Sequence, residues 1–150
     1  MQPDAESEIF SAIFAAIFAF YFVTAIMGYL LFSWFLARVF RKAGIQSWKA
    51  WIPFYSHWIV LELGGQAGWL ILLALVPGAS IVATVFLFIA IYNVGAGFDR
   101  PGAGWLVLFI FLPIVWLGII AFGPANWDAS RMSVEPRYGA NIARPGAAVA

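Results

Sequence analysis

From Ile9 to Phe40 the chain is apolar except for Ser11, Thr24, Gly28, Ser33, Arg38 and two tyrosines. This run constrains the fold more than any other feature. A helix rises about 1.5 Å per residue, and roughly twenty apolar residues suffice to cross about 30 Å of hydrocarbon. The run exceeds that, and two more follow: "WLILLALVPGASIVATVFLFIAI" at 69–91 and "GWLVLFIFLPIVWLGIIAFG" at 104–123. The thirteen Leu, Val, Ile and Phe residues of the third, at about −0.3 to −0.6 kcal/mol each, contribute roughly −4 to −8 kcal/mol toward insertion.

Composition agrees. Hydrophobic residues make up 64% of the chain and charged ones 10%, above the apolar share of soluble domains, near one half. The expected fold class is an all-α integral membrane protein. A net charge of +1 with dispersed cations indicates no nucleic-acid partner. With no cysteine, disulfides, thiolate metal sites and cysteine nucleophiles are excluded.

The expected organisation runs as follows. Residues 1–8 form an acidic extracytoplasmic terminus, without the positive opening of a secretory signal. Residues 9–42 are a first transmembrane helix with a basic cytoplasmic end. Residues 68–95 and 104–123 are further transmembrane helices kinked at Pro77 and Pro113, where a proline removes one backbone hydrogen bond. Residues 124–150, with scattered charges and little large apolar content after Trp127, read as a disordered tail.

Orientation follows from the cations. Three acids precede the first helix and Arg38, Arg41, Lys42 and Lys49 follow it, which places the amino terminus outside and the basic end inside. Residues 48–63 decide the rest. If they cross, five basic residues lie inside and three outside; if they do not, Arg100 alone lies outside and seven of eight lie inside. The count favours three transmembrane helices plus a Trp-rich interfacial or re-entrant helix, with a four-helix bundle as the alternative. Trp48, Trp51, Trp58, Trp69 and Trp105 are the expected interface anchors, since amphipathic aromatics prefer the headgroup level.

Three stretches share one pattern: "AGIQSWKAWIP" at 43–53, "AGWLILLALVP" at 67–77 and "AGWLVLFIFLP" at 103–113. Each sets a Gly at the water boundary, a Trp at headgroup level and a proline about two turns deeper. The residues Ala43-Gly44, Trp48, Ile52-Pro53-Phe54-Tyr55-Ser56, Gly64-Gly65, Gly68-Trp69 and Val76-Pro77 resemble a family of small uncharacterised bacterial membrane proteins. Its members carry a "GW…IPIYN" module followed by a second "GW…IP" module and are sometimes labelled signal-peptidase-like or large exoprotein. The resemblance spans about residues 40–123 and departs at Ser56, where the family has Asn. It implies a bacterial cytoplasmic (inner) membrane address and supplies no activity.

Residue types argue against the peptidase label. A serine protease of that kind needs a lysine within hydrogen-bond reach of its serine, and the two lysines, Lys42 and Lys49, fall at the expected cytoplasmic edge. No catalytic residues, metal ligands or cofactor are expected. Tyr55, His57 and Glu62 form a candidate polar site, because ionisable groups in apolar segments are functional suspects. His57 and Glu62, five positions apart, diverge by about 140° on a helix and fall short of a metal set. Asn93 beside Tyr92 could hydrogen-bond to another helix, with packing as the default reading. Ser11, Ala12, Ala15, Ala16 and Ala19 form a small-residue face that lets another helix approach closely, filled either by the chain's own helices or by another subunit. The expected function is a non-catalytic accessory or scaffold subunit, in contact with the lipid bilayer and with a membrane-protein partner or further copies of itself. A minimal oligomeric permease or channel for a small solute or ion is the alternative.

Overall fold

The computed structural model describes residues 4–138. Among them are five α-helices, three 3-10 segments and no strand: α1 (Ala5–Lys42), α2 (Pro53–Leu63), α3 (Ser80–Gly97), α4 (Ala103–Phe111) and α5 (Pro113–Phe122), with 3-10 turns at Ser47–Trp51, Gly68–Leu75 and Ala129–Arg131. The protein is all-helical, as its sequence predicts. Two helices, α1 and α3, are long and apolar enough to cross a membrane. The chain divides between Phe32 and Ser33 into two compact units.

In the first unit, α1 begins at Ala5, inside the segment read as an acidic terminus. Glu6 and Glu8 lie in its first turn, where carboxylates complement the helix dipole. Every described residue from Asp4 to Met27 is exposed. The serine and threonine hydroxyls of this surface are satisfied within the helix: Ser11 Oγ donates to Glu8 O at 2.9 Å and Thr24 Oγ1 to Phe20 O at 2.8 Å, the usual recourse of Ser and Thr in a helix interior. Phe18 and Phe22 stack at 6.2 Å between centroids.

The second unit starts with the last ten residues of α1, of which Ser33, Leu36, Ala37, Val39 and Phe40 are buried. Three of its helices end alike. After α1, Ile45 N donates to Phe40 O at 2.8 Å and Gly44 N to Arg41 O at 3.1 Å, with Gly44 at φ +75°. The same paired bonds follow α2 around Gly65 (φ +79°) and α3 around Asp99 (φ +61°). These are Schellman ends, which satisfy the last carbonyls by turning one residue left-handed.

The two expected kinks are breaks. Between Leu75 and Ser80 the chain makes a tight turn: Ala79 N donates to Val76 O at 3.1 Å, with Pro77 second and Gly78, at φ +86°, third. That placement is the type II pattern, so residues 68–95 are not one bent helix. The 3-10 segment Gly68–Leu75 folds back beside α3, and Leu61, Leu70 and Ala90 close a small core with Phe86 and Leu87 packed on it. Residues 104–123 break at Leu112 (φ −138°, ψ 64°), a residue forced out of the helical region by the proline after it. Phe109 and Trp116, which a straight helix would set about 10 Å apart along its axis, meet edge to face at 5.3 Å. Ile52 and Val76, which also precede prolines, take extended backbone and end 3-10 segments. Residues 48–63 likewise form two pieces, most of the first 3-10 turn and α2. Three uninterrupted long spans are therefore not what these residues build.

The tail reading is corrected as well for residues 124–138. Trp127 packs edge to face on Phe98 at 5.1 Å, Asp128 N donates to Gly97 O at 2.9 Å, and Arg137 N donates to Glu62 O at 2.8 Å. Pro136 is buried. Residues 1–3 and 139–150, the outer parts of the expected acidic terminus and tail, lie outside the described residues.

Candidate functional site

The richest assembly of polar and aromatic groups surrounds Lys49. It sits in the first 3-10 turn, held by the Schellman end of α1 on one side and Pro53 at the start of α2 on the other. Its Nζ donates to the Tyr138 hydroxyl at 2.6 Å and lies 5.3 Å from the Tyr138 ring, 5.9 Å from Trp48 and 6.0 Å from Tyr55. The Tyr138 hydroxyl, at its ring edge, and the Trp48 and Tyr55 rings, within cation–π reach, form a cradle around one ammonium. The Tyr138 hydroxyl oxygen holds the lysine above its ordinary pKa, against the opposing effect of burial, with smaller help from the proximity of Tyr138 and Tyr55. Nearby, Arg41 Nε donates to Ser47 Oγ at 3.3 Å.

A second joint ties the end of α1 to the end of α5. Lys42 Nζ donates to Ile120 O at 2.8 Å, Gly123 O at 2.6 Å and Ala125 O at 3.4 Å. An ammonium on the last carbonyls is the favourable partner for a helix carboxyl end. One turn earlier, Arg38 lies over Trp34 at 4.9 Å and over Phe122 at 4.4 Å. A third joint is buried: Asn93 Nδ2 donates to Gly64 O at 2.8 Å, where α2 ends against α3. Asn93, whose default reading from sequence is packing, thus makes a hydrogen bond between two elements.

The candidate trio does not converge. Tyr55 faces Lys49, His57 Nδ1 lies 2.7 Å from Pro53 O and 3.4 Å from Ser56 Oγ, and Glu62 Oε1 accepts from Trp58 Nε1 at 2.7 Å. Among the described residues no group of three or more His, Asp or Glu could hold a metal ion. Of the tryptophans read as anchors, Trp48, Trp51 and Trp69 are exposed, and Trp58 and Trp105 are half-buried. Trp58 lies against Gly68 and Trp105 beneath Arg100 at 4.9 Å. The small residues Ser11, Ala12, Ala15, Ala16 and Ala19 are all exposed.

Sequence reasoning missed the Lys49–Tyr138 pair, the Lys42 cap and the strap formed by residues 127–138. The one available signal was the recurrence of large side chains, Met132, Val134 and Tyr138, in a stretch otherwise rich in small and polar residues.

Residues 48–129, more than half of the chain, match the family of unknown function DUF5684. The chain belongs to DUF5684. No curated protein and no solved structure matches it. The DUF5684 segment carries Trp48, Lys49 and Tyr55 of the cradle, the Gly64–Asn93 joint and both proline breaks. Tyr138 and all of α1 lie outside it.

Proposed function

We propose that this chain is a non-catalytic accessory subunit of the bacterial cytoplasmic membrane, docking through α1 onto another membrane protein or onto further copies of itself. The observation that carries this reading is the continuous exposure of α1 from Ala5 to Met27, with Phe10 at 74% and Phe14 at 65% of full accessibility. In lipid, helices associate by close packing and not by the hydrophobic effect. Ser11, Ala12, Ala15, Ala16 and Ala19 offer a shallow face for that approach, flanked by the phenylalanine ridge. The acidic first turn lies outside the cell and the basic end of α1 inside, in keeping with the positive-inside bias.

Blue-native electrophoresis of the chain extracted in mild detergent at native expression tests this. The expected result is a band well above the monomer that collapses on Ala15→Leu with Ala19→Leu. A monomer in the unsubstituted protein refutes it.

A further inference from the structure

The second unit is polarised along one direction. At one end lie all of its described charged residues: Arg38, Arg41 and Lys42 where α1 meets the end of α5, Lys49 and Glu62 under the strap, Asp99 and Arg100 after α3, and the strap's own charges. Segments 68–89 and 103–122 contain no charged residue at all. Burial follows the same axis. Within α3, Asn93 to Gly97 are all buried, whereas near its start Ile81 is 70% exposed.

The two proline breaks lie at the apolar end. Val76 and Pro77 are exposed, as are Phe111, at 77%, and Leu112. Three of the four arms leading to them have a common length; the fourth, α3, at eighteen residues spans about 27 Å, and its last five residues lie buried at the charged end. The 3-10 arm of eight residues spans about 16 Å at about 2.0 Å per residue. Nine-residue α4 and ten-residue α5 span about 14 and 15 Å. Half of a hydrocarbon core of about 30 Å is about 15 Å. At the base of each hairpin stands the tryptophan of the repeat, Trp69 and Trp105, eight residues before its proline in both cases.

We infer that the segments 68–97 and 103–122 are two re-entrant hairpins that enter and leave the bilayer on the same side, with their proline tips against the acyl chains of a single leaflet. The occupant of the apolar end is lipid, because the charges and the Trp69 and Trp105 rings at its base complement an anionic headgroup layer. Pro77 and Pro113 lack an N–H, and Val76 O accepts from both Ala79 N and Ser80 N. The tips therefore present fewer orphan donors to lipid than an ordinary helix start. Thr84, the hydroxyl nearest the first tip on α3 after Ser80, is spent on Ser80 O at 2.9 Å. The arrangement also moves Arg100 to the cytoplasmic side with the other cations, a stronger positive-inside bias than three full crossings give. It rests on the membrane address proposed above and not on the docking of α1.

The native absence of cysteine makes the test direct in the full-length chain. Single cysteines at Ala103 and Ser130, and at the tip positions Val76 and Phe111, are treated with a membrane-impermeant maleimide in intact spheroplasts and in inverted vesicles. Ala103→Cys and Ser130→Cys are expected to react in inverted vesicles only, and Val76→Cys and Phe111→Cys in neither until detergent is added. Ile81→Cys serves as a second probe should Val76→Cys not accumulate. An environment-sensitive dye on the tip cysteines is expected to be quenched by lipids spin-labelled far down the acyl chain more than by those labelled near the headgroup. Reaction of Ala103→Cys from outside overturns the inference. So does a tip that is shielded from water yet not quenched by lipid, which would be covered by protein. Neither result bears on the native band of the α1 assembly, whereas recovery of the protein in the soluble fraction would overturn the membrane address itself.

Discussion

Replacing Gly64 by alanine probes the joint on which α2, α3 and the strap converge. A Cβ at position 64 would stand 2.3 Å from Ala90 Cα and 2.5 Å from both Ala90 Cβ and Ala90 O. Non-bonded carbons rest at about 3.5–4.0 Å, so the end of α2 and the flank of α3 must part by more than about 1 Å. That stretches the bond from Asn93 Nδ2 to Gly64 O, 2.8 Å long, beyond hydrogen-bond reach. Asn93 is only 3% exposed, and an unsatisfied buried amide costs about 1–3 kcal/mol. Overpacking adds about 1–3 kcal/mol. The backbone of Gly64, at φ −81° and ψ 10°, suits alanine, which returns about 0.4–1 kcal/mol through the unfolded state. The net expectation is a loss of about 3 kcal/mol, or roughly 6–12 °C in melting temperature at about 2–4 °C per kcal/mol. Thermal unfolding in detergent, followed by near-ultraviolet circular dichroism, measures it. Gly104→Ala, where a Cβ meets nothing within 4 Å, is the control and should melt at or above the wild-type temperature. A Gly64→Ala melt within the scatter of that control would refute the packing argument.

Three further outcomes are expected. Lys42→Met removes the donor from the Ile120 and Gly123 carbonyls and should cost about 1–3 kcal/mol, read in the same melt. Tyr138→Phe deletes the acceptor of the Lys49 ammonium and should cost under about 1 kcal/mol, because the half-buried pair keeps partial contact with water. Because the folded state raises the pKa of Lys49 above 10.5, that contribution is fully present below this value and lost as pH rises through the folded pKa. The wild-type and Tyr138→Phe melting temperatures should therefore differ by a constant amount at neutral pH and converge in strong alkali; a gap that persists there would assign the effect to packing alone. Asp99→Gly relieves a left-handed non-glycine residue, φ +61°, and should stabilise by about 0.5–1 kcal/mol; a lower melting temperature would show that the aspartate side chain contributes more than its backbone costs.

Much of the architecture was legible because apolar length is a one-dimensional property. The helical run of α1 and its basic end can be read directly; Pro113 and Pro77 stand out in sequence too, but as kinks within one helix, where the chain instead breaks. What hydropathy cannot carry is direction. A window over residues 69–91 counts the same apolar residues whether the chain continues or reverses, and the reversal is decided by Gly78, a single residue able to take φ +86°. The local chemistry of Pro-Gly is a turn signal that the apolar length of the window outweighed. Around the candidate site, Tyr55, His57 and Glu62 stand out in sequence as polar residues in an apolar stretch. Their partners do not, because Pro53 O is a backbone atom and Lys49 and Tyr138 lie 89 positions apart. The strap escaped notice for a related reason: it is fixed largely by the amides of Asp128, Arg137 and Tyr138, which every non-proline residue possesses.

The strap also imposes an order on biosynthesis. The carbonyls of Glu62 and Gly97 receive donors from Arg137, Tyr138 and Asp128, and Lys49 meets its tyrosine at position 138. A ribosome delivers those residues after everything they fasten. The nascent protein must therefore wait, its base unclasped, until residues 127–138 have cleared the exit tunnel, and a chain halted shortly before Trp127 would leave the carbonyls of Glu62 and Gly97 without these donors.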